Sequence, residues 1–256
     1  MGEWGIGMSD YKFDKELNFR LVKGIEHGYS DYAEVRRQKR NELLVSGAYA
    51  WVKGNHIEDR VARELKEIGM NFKKEKAGYT WEYLSFTESK KKHLIIIKNA
   101  NIIRGKSTRP ELDISNSENY LIERSKINAE IDFDEVRGST QGILQFLELE
   151  MQPVMAESED IEELKKQYKR FYILTYTIDP VSRMLMDIDL WMPEFKKDSK
   201  VEMVKIDTLT ECLNETGDHV NLDAIRELVH IPDEEYSGTT TEFDFTTIED
   251  EKEEDA

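Results

Sequence analysis

Residues 55–100, NHIEDRVARELKEIGMNFKKEKAGYTWEYLSFTESKKKHLIIIKNA, decide the fold. Ile57, Val61, Leu65 and Ile68 recur at the spacing of one helix face. Asn55 followed three residues later by Glu58 has the form of a capping box, and Gly69 stands where a left-handed residue closes a helix. The spacing therefore predicts a helix from His56 to Ile68. Beyond it, segments 70–75, 79–86 and 92–103 are rich in aromatic and branched residues and are separated by Lys-Ala-Gly and Glu-Ser-Lys breaks, which predicts strands of an antiparallel sheet. The unbroken run Leu94, Ile95, Ile96, Ile97 predicts a strand covered on both faces.

Toward the N-terminus, Phe13, Leu17, Leu21 and Ile25 recur every fourth residue with Val22 beside them. This predicts an amphipathic helix from Tyr11 to His27 stopped by Gly28, and a more polar helix from Asp31 to about Leu44. Toward the C-terminus, 106–117 reads as a loop and a boundary, followed by a helix over 118–128. Segment 139–151 fits either period. A short helix over 159–170 leads into a strand, Phe171 to Ile178, a turn at Asp179-Pro180 and a second strand, Met184 to Met192. A further strand over 200–206 and a helix over 222–229 complete the pattern. The expected class is α+β, a mostly antiparallel sheet with flanking helices and a disordered acidic C-terminal tail. Three parts are expected: a basic one over 1–109, an acidic one over 110–232 that belongs with the first if the chain forms one domain, and the tail 233–256.

With 256 residues, 39% of them hydrophobic, the chain supplies a core of ordinary size. The single Cys212 has no internal disulfide partner, the first residues lack a secretory pattern, and no apolar run approaches the roughly 20 residues of a membrane helix. These features predict a cytoplasmic chain without membrane contact. The net charge of −17 is unevenly spread. Residues 233–256 hold 11 acids and one Lys, whereas residues 36–109 hold 18 Lys and Arg against 8 acids. Such separation points to nucleic-acid contact or to an acidic regulatory tail.

The common phosphate-loop, dinucleotide and zinc-helix signatures are missing, and the five His residues show no ligand spacing. His56 and Glu58, two apart on a helix, point about 200° apart. The basic residues Arg36, Arg37, Lys39, Arg40, Lys73, Lys74, Lys76, Lys90, Lys91 and Lys92 are candidates for phosphate contact if they converge on one face. Tyr79, Trp81 and Tyr83 share a strand face, as a core stripe or as a stacking platform. In the tail, Phe243 and Phe245 are candidate anchors for a protein partner.

The order of a helix over 56–68 and strands over 79–86 and 94–100 resembles the α-β-β-β core of PD-(D/E)xK nucleases. The resemblance implies that Glu64 is the helix acid, Glu82 the first strand acid and Lys98 the lysine of a site that gathers Mg²⁺ and activates water. The acid expected two residues before that lysine is Ile96, which removes a metal ligand. In general character the chain also resembles small proteins that phages and mobile elements carry for conflict and regulation. The expectation is a non-catalytic regulatory or inhibitory binding protein without a cofactor, acting on a nucleic acid or on a nucleic-acid-handling protein. The alternatives are a Mg²⁺-dependent nuclease with a degenerate site and one component of a toxin–antitoxin pair.

Overall fold

Helix α1 (Lys15–Glu42) starts where the Asp14 carboxylate accepts a hydrogen bond from Leu17 N, satisfying one of the free donors of the first turn. The computed structural model describes residues 11–77, 81–100, 119–139, 148–149, 161–196, 201–215 and 220–230. The predicted loop at 106–117 and the tail with Phe243 and Phe245 lie outside these residues.

The helix does not stop at Gly28 but runs for 28 residues, about 42 Å. The reason is contact with helix α2 (Lys53–Glu67). A Cβ on Gly24 would lie 2.6 Å from Val61 Cα, and one on Gly28 would lie 2.4 Å from Ile57 Cα. The two antiparallel helices therefore touch backbone to backbone. Glycine inside a helix costs about 1 kcal/mol relative to alanine, and here it permits an approach no other residue allows.

Helix α2 begins at Lys53, so Asn55 sits exposed inside the first turn and caps nothing. The N-cap position is Val52, without a side-chain bond, and Glu58 does not reach back along its own helix but across to the sheet, where it accepts from Leu84 N. The C-terminus follows the sequence pattern closely. Gly69 is left-handed at φ 74°, its N–H meets Lys66 O at 3.0 Å, and Met70 N meets Leu65 O at 3.1 Å, a Schellman closure.

The strands are β1 (Asn71–Ala77), β2 (Trp81–Glu88), β3 (His93–Asn99), β4 (Glu148–Leu149), β5 (Arg170–Ile178), β6 (Leu185–Phe195) and β7 (Val201–Thr208). Their order is β1-β2-β3-β5-β6-β7-β4. Every neighbouring pair is antiparallel except β3 and β5, which run parallel from His93↔Arg170 to Asn99↔Tyr176. The fold is thus α+β with a mostly antiparallel sheet. The parallel pair joins the basic and acidic parts of the chain in one sheet.

A parallel pair at the centre requires cover on both faces. On one face Ile95, Ile97, Tyr172, Leu174 and Tyr176 pack with the apolar stripes of α1 and α2. On the other, Leu94, Ile96, Phe171, Ile173 and Trp191 pack with Leu121, Ile122 and Ile127. These last come from α3 (Asn119–Ser125) and its 3-10 continuation Lys126–Asn128. Leu94 to Ile97 are all buried, as their unbroken apolar run requires. The remaining described helices are α4 (Phe133–Ser139), α5 (Ile161–Gln167) and α6 (Leu222–Glu227), the last laying Ala224 and Ile225 into the α1 side of the core. Among the described residues no helix is long and apolar enough to cross a membrane.

The two kinds of helical glycine make opposite predictions. Gly24→Ala and Gly28→Ala force α1 off α2 and should each cost about 1–3 kcal/mol, the usual range for overpacking. Gly54→Ala, where a Cβ meets nothing within 4 Å, should stabilise by about 0.4–1 kcal/mol. Urea midpoints of the three variants check this, and a neutral Gly28→Ala would contradict the close approach.

Candidate functional site

Strands β2 and β3 stay paired from Glu88↔His93 to Ser85↔Ile96, while β3 continues beside β5 as far as Asn99↔Tyr176. The β2–β3 ladder therefore ends before the last residues of β3. Leu84, the first β2 residue past the pairing, gives its N–H to Glu58 Oε2 at 2.9 Å. Between the first turns of α2 and the end of β3 this leaves a cleft of about 280 Å³. Trp51, Lys53 and Glu58 line it from the helix side, Lys98 and Asn99 from β3, and Tyr176 from β5.

Burial pushes the Glu58 carboxyl up to about 7, with the Leu84 N–H and the charge of Lys98 opposing the rise. At neutral pH the group is balanced between its two forms. Burial also raises the Tyr176 hydroxyl well above its usual range, with Glu58 adding to the effect, so this phenol stays neutral. The Lys53 ammonium lies 5.4 Å from the Tyr32 ring centre. That of Lys98 lies 5.1 Å from Tyr83 and 5.3 Å from Tyr120, two rings stacked 4.7 Å apart. Both cations are thus held by aromatic faces. Lys53 and Lys98 bring two ammonium groups to a cleft whose carboxyl, Glu58, is balanced between its two forms. Trp51, 49% exposed, stands at its rim.

Lys98 and Glu58 meet at this cleft, but Glu64 and Glu82 are engaged elsewhere. Glu64 accepts from Arg20 and Lys23 of α1, each at 3.0 Å. Although burial opposes it, those two cations hold its carboxyl below the usual range. Glu82 is exposed and pairs with Lys74 at 2.6 Å. Ile96 is fully buried in the smaller core cluster. Among the described residues no group of three His, Cys, Asp or Glu comes together as a metal site.

The basic residues are dispersed. Arg36 is buried and donates to Ser46 O at 2.7 Å. Arg37 pairs with Glu34 and Glu227, Lys39 with Glu42, and Arg40 donates to His230 O. Lys73 and Lys74 lie on the edge strand beside Glu75 and Glu82. Lys90, Lys91 and Lys92 form the β2–β3 turn, at the end of β3 opposite the cleft. There Lys91 faces Glu88, and Lys92 is left-handed at φ 57°. Of the aromatic stripe, Tyr83 is buried, its hydroxyl donating to Glu75 at 2.9 Å, and Tyr79 lies outside the described residues.

Sequence reasoning passed over Glu58 by assigning it to a cap. The signal was present, because Glu58, Ala62 and Leu65 share one helix face and the two apolar members are buried. A lone acid on a buried stripe marks a carboxyl taken out of water.

Glu58 makes the stability of the fold depend on pH in a defined direction. Its folded value lies above the ordinary 4.5, so its contribution is fully present below about pH 4.5 and is lost as pH rises through about 7. Between those limits the native chain should lose about 2–3 kcal/mol relative to Glu58→Gln, which keeps an acceptor for Leu84 N. Urea unfolding of both proteins across that range checks this. A difference constant with pH would show a carboxyl that titrates normally. Compared with protein-family models, curated proteins and solved structures, the chain finds no match.

Proposed function

We propose that the protein is a non-catalytic regulatory binding protein that takes hold of single-stranded nucleic acid through the α2–β3 cleft. The observation that carries this reading is the meeting of Lys53, Lys98 and Asn99 with the exposed ring of Trp51 around one cleft. Phosphate is met by cations and by amide donors, and every base offers a flat face to an aromatic ring. The cleft supplies both elements within one short stretch of surface, and Glu58, balanced near neutrality, withdraws its opposing charge when protonated. The acidic tail fits the same reading as a competing polyanion in the sequence.

Fluorescence anisotropy of a labelled oligothymidylate at two salt concentrations tests this. Binding should weaken by about 10-fold or more in Trp51→Ala and Lys53→Glu, the latter also lowering the salt slope by about one. Lys90→Glu, at the far end of β3, should change affinity far less. Equal losses at Lys90 and Lys53, or no binding at low salt, would overturn the assignment.

A second reading, metal-dependent cleavage, is favoured by one observation: Glu58 rather than Glu64 is the helix acid that faces Lys98. Incubation with Mg²⁺ or Mn²⁺ and mixed DNA and RNA separates the two. Cleavage that disappears in Glu58→Gln would replace binding by hydrolysis.

A further inference from the structure

A second and larger cavity, of about 450 Å³, lies between α1 and the β6 start. Its wall is mostly apolar: Met184, Met186, Leu213, Leu222 and Ile225 supply hydrocarbon and thioether surface. Among the described residues one carboxyl lines it, Glu26 of α1, beside the phenol of Tyr29. The Glu26 Oε2 atom is buried and meets no hydrogen-bond partner among the described residues.

A carboxyl in such a place is costly, because a polar atom removed from water needs a donor to replace the one it lost. Among the described residues nothing compensates it: burial raises the group to about 7, and no cation there offsets the rise. The position follows from the geometry of α1. Gly24 and Gly28 face α2, and Glu26, two residues from each, points to the opposite side, toward β6 and α6. The volume falls within the range of sites that enclose small organic molecules, which typically pair apolar walls with a few placed polar groups. An apolar body fills this wall, and a single protonated nitrogen satisfies the carboxyl with a charge-assisted hydrogen bond.

We propose that this cavity is a binding site for a small apolar amine, with Met184, Met186 and Ile225 holding the hydrocarbon part and Glu26 receiving the ammonium. The site is separate from the α2–β3 cleft and stands whether or not that cleft binds nucleic acid. Methionine suits it, since a flexible thioether adapts to ligands of different outline.

The test uses the full chain carrying ¹³C-methyl methionine, titrated with n-hexylamine, hexan-1-ol and hexanoate at about pH 8, above the value near 7 to which burial raises Glu26. Hexylamine should shift the Met184 and Met186 methyl signals saturably, with affinity about 10-fold or more above that of the alcohol. Hexanoate should bind weakest. In Glu26→Gln the preference for amine over alcohol should vanish while alcohol binding remains. In Met186→Trp, which fills the mouth of the cavity at a half-exposed position, the Met184 signal should respond to neither ligand. Equal affinity for amine and alcohol, a preference that survives Glu26→Gln, or no saturable shift with any of the three would overturn the proposal.

Discussion

The backbones of α1 and α2 meet at Gly24 and Gly28, and the positions of both cavities depend on that contact. Gly28 lies against Ile57, the residue before Glu58, so the first turns of α2 are seated close enough to the sheet for Glu58 to reach Leu84. Any side chain at Gly28 lifts those turns and opens the α2–β3 cleft. The same contact turns the opposite side of α1 toward β6 and leaves Glu26 against the larger cavity. Two glycines that weaken the helix locally thus help to set where both partly buried carboxyls come to lie.

Charge behaves differently in space from its behaviour along the chain. The segment 36–109 is strongly basic in sequence, yet among the described residues most of its cations pair with Asp31, Glu34, Glu42, Asp59, Glu75, Glu82 and Glu88 or donate to backbone carbonyls. Exposed pairs of this kind contribute little to stability, and they also leave little field for a polyanion. At the α2–β3 cleft, by contrast, Lys53 and Lys98 rest on aromatic rings beside a carboxyl, Glu58, that is balanced near neutrality.

Where a pattern was local, the sequence revealed it. Gly69 after the Leu65 stripe specified its Schellman closure, and the Leu94–Ile97 run specified a strand buried on both sides. Where the cause lay in a distant segment, it did not. Gly28 looks like a stop because the helix it touches is remote in sequence, and Asn55 looks like a cap because Glu58 is drawn to β2. The parallel β3–β5 pair was equally hidden, since each strand alone fits an antiparallel neighbour and only the complete sheet order brings them together. Of the candidate site, Lys98 was singled out only through the nuclease resemblance, as the lysine of a different ligand set. Glu58, Trp51 and Lys53 were not legible, because their meeting depends on how α2 sits on the sheet.

The most direct test of the central claim, that recognition occurs where α2 meets the end of β3, is an amide chemical-shift map of the full chain titrated with a short oligothymidylate. Shifts should concentrate at Trp51 to Glu58 and at Ile97 to Asn99. Shifts confined to the Lys90–Lys92 turn, or spread evenly over exposed lysines, would contradict it.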